Sequence, residues 1–264
     1  MEKITEGKTE YRISGISFVP FINAPPSDYH TLYTAAVEAM KKTQYHNMKT
    51  CILTFDQPLY IKMIDIINTG SLEREKLPQE LHLNLPYDIK IIARLGGFHT
   101  VMSYMGFIGY TMAGSGLKEL LCEVYAEKTV DHILTGHAYS RAVRAHTLVQ
   151  EAFASLIFAD LEKNDVGISN HKKNKTALKI YDDCFDPDML LTNQSFTEIV
   201  DKFENKIKVL DNESNKTLQL WILYFRMVSV LNDFLYAERT GDWNLHLKSI
   251  ELMILFFHVS GHFP

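Results

Sequence analysis

The chain has 264 residues, 46% hydrophobic and 22% charged, with 27 Lys and Arg against 32 Asp and Glu for a formal charge of -5. That apolar content supplies a core, and 13 Gly, 8 Pro and 3 Cys exclude collagen-like, largely disordered and disulfide-scaffold classes. The acidic balance excludes a surface that attracts phosphate backbones as a whole, so nucleic-acid contact needs a local basic patch.

Residues 1–14 are polar, with no apolar run of the kind a secretory signal carries. Ser17 to Ile22 reads as a strand, closed by the turn Asn23-Ala24-Pro25-Pro26. Ser27 and Asp28 offer an N-cap to a helix over Tyr29 to Lys42, where Leu32, Ala36, Ala39 and Met40 recur at helical spacing. Thr50 to Phe55 suits a buried strand. Pro58 then sits in the first turn of a helix to about Ile67, with Leu59, Met63, Ile66 and Ile67 facing inward. After a polar connection over residues 69–87, Asp88 to Leu95 is the second buried strand, and Gly96-Gly97 leads into a helix over Phe98 to Met112. Strand, helix, strand, helix with long crossovers implies parallel pairing.

Beyond Gly114-Ser115-Gly116 the strand signal fades. Helices are expected over Leu117 to Tyr125, Val130 to Leu161 with a break near Gly136, Phe196 to Val209 and Thr217 to Arg239, and a last one follows Gly241-Asp242-Trp243. Gly241 is placed to stop one helix and Asp242 to cap the next. The fold class is therefore α/β: a small parallel-containing sheet in residues 1–116, followed by an all-helical region in residues 117–264. Cys51, Cys122 and Cys184 form no CxxC pair, an intracellular pattern, and no run reaches a membrane span. The chain stops at Gly261-His262-Phe263-Pro264, directly after the apolar run Leu252 to Val259, which reads as a fragment of something longer.

Few residues carry candidate chemistry. Asp56 stands at the carboxyl end of a buried strand, where open parallel sheets place ligands. It could hold a divalent metal or act as a base, and the same spacing lets it cap the helix that starts near Pro58. His99 follows the second strand and so shares that edge. His137, Arg141 and Arg144 fall at i, i+4 and i+7, a basic stripe on one helix face that could meet phosphates or pair with carboxylates. His171-Lys172-Lys173-Asn174-Lys175 adds a short basic cluster. Glu238 ends an apolar helix and is the acidic side chain there that could reach inward.

Several segments together carry a resemblance: Val19 to Asp28, Thr54-Phe55-Asp56-Gln57-Pro58-Leu59-Tyr60, Arg94 to His99, Gly114 to Leu117, Gly136 to Tyr139 and Glu238 to Trp243. They resemble a multi-copy protein family of invertebrate genomes whose members look like coding sequence derived from mobile elements. More distantly, the Asp-Gln after one strand and the Phe-His after another are similar to transposase-related proteins with an RNase H-like core. The resemblance implies a nucleic-acid-associated protein, with DNA as partner and the nucleus as compartment. It implies Asp56 as a catalytic Mg2+ ligand, Glu238 as a second catalytic carboxylate and His99 as a phosphate or metal neighbour, and on this reading the basic stripe of His137, Arg141 and Arg144 is the nucleic-acid contact. Gly97 occupies the place of the second acidic residue, so a degenerate, catalytically silent member is implied equally. The alternatives are a non-catalytic helical protein-interaction module and an enzyme for small phosphorylated substrates built at Gly96-Gly97.

Overall fold

The computed structural model describes residues 16, 18–68, 89–164 and 193–260. The polar N-terminal stretch, the connection over residues 69–87, Cys184 and the basic cluster at His171–Lys175 lie outside the described residues.

The described residues up to Thr100 form one compact unit, and those from Val101 on form another. In the first, helix α1 (Tyr29–Tyr45) precedes strand β1 (Thr50–Phe55), helix α2 (Gln57–Asn68) and strand β2 (Lys90–Leu95). The Asp28 carboxylate caps α1 by accepting the His30 N–H at 3.3 Å. The strands pair in parallel, with Thr50 opposite Lys90 and Phe55 opposite Leu95. Alternation then decides the faces. Leu53, Phe55, Ile91 and Ala93 pack on the core of Leu32, Ala36, Met63 and Ile66, while Ile52 points out and is exposed. Leu59 and Ile67 complete the inner face of α2.

The expected strand before α1 does not form, and Phe18 to Ile22 has no regular structure. Phe18 and Phe21 are 92% and 91% exposed, and no strand among the described residues lies beside them. A strand exists only with a ladder partner, and Pro20 further removes one donor.

Helix α3 (Gly97–Thr111) begins in the first unit. The two units divide at Thr100 and Val101. The reason is packing: Val101, Tyr104, Met105, Phe107 and Ile108 are buried in the core of the helical unit. That unit continues through α4 (Leu117–Cys122), α5 (Glu127–Leu134), α6 (Tyr139–Asn164), α7 (Gln194–Asp211), α8 (Lys216–Thr240) and α9 (Trp243–Ser260). Tyr224, Met227, Val228, Leu231 and Phe234 place α8 at its centre, as an apolar composition on all sides requires. By length and composition α8 could also cross a membrane, but these residues are core.

The expected break near Gly136 is real and separates α5 from α6. Gly136 has φ 77°, and a Cβ there would lie 2.1 Å from the Met102 carbonyl oxygen. A Cβ at Gly109 would lie 2.0 Å from the Leu134 oxygen, so α3 and the end of α5 meet backbone to backbone. Between α6 and α8 the contact is partly polar. Thr147 Oγ1 donates to Asn232 Oδ1 at 3.2 Å, and Asn232 Nδ2 donates to Gln150 Oε1 at 2.8 Å. Gln150 Nε2 in turn donates to the Phe225 carbonyl at 3.0 Å. Sliding α6 along α8 would break all three bonds at once, which fixes the register of the two helices.

Candidate functional site

The two strands of the first unit end level. The Gly96 N–H donates to the Phe55 oxygen at 2.7 Å, and a Cβ at Gly96 would sit 3.1 Å from that same atom. This close approach explains a small residue at position 96 without reference to any ligand. Asp56 leaves β1 at this edge, and His99 stands exposed in the first turn of α3. The His99 ring meets Phe98 edge-on, with centroids 5.4 Å apart.

Asp56 is half-buried and serves as the N-cap of α2. Its Oδ1 accepts the Leu59 N–H at 3.1 Å, while its main-chain oxygen accepts the Tyr60 N–H at 2.8 Å. A two-metal site needs several carboxylates around ions about 4 Å apart. Gly97 brings no ligand atom to this edge, and one oxygen of Asp56 is held by α2. Among the described residues, those at this edge therefore do not fit such a pair of Mg2+ ions. Among the described residues, no group of three or more His, Cys, Asp or Glu side chains is placed to hold a metal.

Glu238 belongs to the helical unit and lies in the last turn of α8. Its Oε1 lies 2.8 Å from Nδ1 of His246 on α9, a residue only 4% exposed. The His246 ring stacks on Trp243 at 5.2 Å and packs against Phe234 at 5.0 Å. Gly241, at φ 72°, stops α8, and Asp242 Oδ1 caps α9 by accepting the Leu245 N–H at 3.0 Å. Tyr139 lies within the field of this corner. Burial pushes its hydroxyl up, the Glu238 carboxylate adds to the shift, and Arg239 opposes it. His246 was not legible as a partner of Glu238, because the turn between them decides which side chains meet.

The basic stripe is shorter than its spacing promised. The first bond of α6 runs from the Ala142 N–H to the Ala138 oxygen, so His137 lies in the turn before the helix and not on its face. Arg141 and Arg144 remain, three residues apart and both exposed. Two positions on is His146, fully buried, with Nδ1 3.0 Å from the Tyr224 hydroxyl. Burial lowers its pKa from 6.5 to about 4, so the imidazole is neutral. Its spacing from Ala142, Ala145 and Val149 on the apolar face is the signal that could have placed it in the core.

A family described as "Domain of unknown function (DUF8702)" matches residues 1–264. The chain belongs to this family. No curated protein and no solved structure matches it. In this DUF8702 chain the Asp56 cap has a measurable worth. Asp56→Ala is expected to lower stability by about 1 kcal/mol, and Asp56→Asn by less because the amide oxygen still accepts the Leu59 N–H. Urea unfolding with and without Mg2+ checks the assignment. Stabilisation of the wild type by Mg2+ that vanishes in Asp56→Asn would make the carboxylate a metal ligand.

Proposed function

We propose that this chain is a nucleic-acid-associated protein of mobile-element origin, related to transposases, which acts by binding and not by strand cleavage. The observation that carries the proposal is the pair of exposed guanidinium groups of Arg141 and Arg144, presented on consecutive turns of a long, well-packed helix. Such a pair suits phosphate oxygens without reading bases. The parallel pair β1–β2, each strand followed by a helix, supports an RNase H-like origin for the first unit. The Leu59 bond to Asp56 and the His246 contact to Glu238 support a silent centre, because both carboxylates have structural work. DNA is the partner this reading favours, and the nucleus the compartment.

Fluorescence anisotropy with labelled duplex DNA over a salt series tests it. Affinity should fall steeply with salt, and Arg141→Ala and Arg144→Ala should each weaken binding uniformly across sequences and reduce the log–log salt slope by about 1. No binding at about 50 mM salt, or binding indifferent to both substitutions, would overturn the proposal.

The helical interaction module is the second reading, favoured by the outer surface of α9. Trp243, Leu247, Ile254 and Leu255 are each about half exposed there. Aliphatic and aromatic side chains in such number on one helix are a feature of protein-contact surfaces. Failure of DNA binding would leave this reading in place.

A further inference from the structure

We draw no further inference here: the strongest candidate, the exposed apolar segment of Ile16, Phe18, Val19 and Phe21 that precedes α1, carries nothing because nothing in the structure shows what covers it.

Discussion

Gly136→Ala is expected to destabilise the helical unit by more than about 4 kcal/mol, because it combines a strained backbone conformation with a clash against backbone. Two penalties combine. A non-glycine residue at φ 77° costs about 1 kcal/mol or more. The new Cβ would also lie 2.1 Å from the Met102 oxygen and 3.0 Å from the Met102 carbonyl carbon, where the obstacle is helix backbone that cannot swing aside as a side chain can. Gly241 separates the two terms. It has nearly the same φ, 72°, but nothing lies within 4 Å of its hypothetical Cβ, so Gly241→Ala should cost only the conformational term. Gly109→Ala carries the complementary penalty, a clash with the Leu134 oxygen at 2.0 Å and no positive φ. Urea midpoints for the three variants should therefore fall in the order Gly241→Ala, Gly109→Ala, Gly136→Ala from mildest to most severe. Equal midpoints for Gly136→Ala and Gly241→Ala would show that α3 and the turn after α5 do not touch through backbone.

Acid should remove about 3 kcal/mol of stability through His146 alone. Its folded pKa is depressed, from 6.5 to about 4, because a fully buried imidazolium loses its hydration. The unfolded chain therefore binds a proton that the folded chain refuses. The contribution is fully present above pH 6.5, is lost progressively as pH falls, and is exhausted below about pH 4. Unfolding free energies at several pH values in that window give the slope directly. His146→Gln, which keeps a hydrogen-bonding group near the Tyr224 hydroxyl but does not titrate, should flatten it. An unchanged slope in that variant would assign the acid sensitivity to other groups, Asp233 excluded, because burial raises that carboxyl and protonation there works the other way.

Local chemistry made much of the architecture legible. Thr50 to Phe55 reads as a strand because an apolar run is bounded by Asp56-Gln57-Pro58, and the strand has those limits. The corner Gly241-Asp242-Trp243 announces its role through residues that act on the nearest turn, so the stop and the cap both appear where the spacing put them. At the candidate site, spacing alone allowed Asp56 to be a cap or a metal ligand, since both need an oxygen just past a strand end. The bond to Leu59 shows that it does cap the helix. The stripe of His137, Arg141 and Arg144 misled at its first member, because the helix after the break near Gly136 starts only at Tyr139, past His137. The break at Gly136 arises from a close approach to Met102, more than thirty residues away in the chain.

What the sequence determined by itself was every feature held by neighbours in the chain: the caps, the helical periodicities, the two short strands and the helical character of the second half. Tertiary structure alone decided the rest. It left Phe18 to Ile22 without a ladder and assigned most of α3 to the helical core. It sealed His146 beside Tyr224 and brought His246 to Glu238. The physical reason is common to all four. Strand pairing, burial and side-chain contact are properties of groups that are not neighbours along the backbone, and their energy exists only once the chain has brought those groups together.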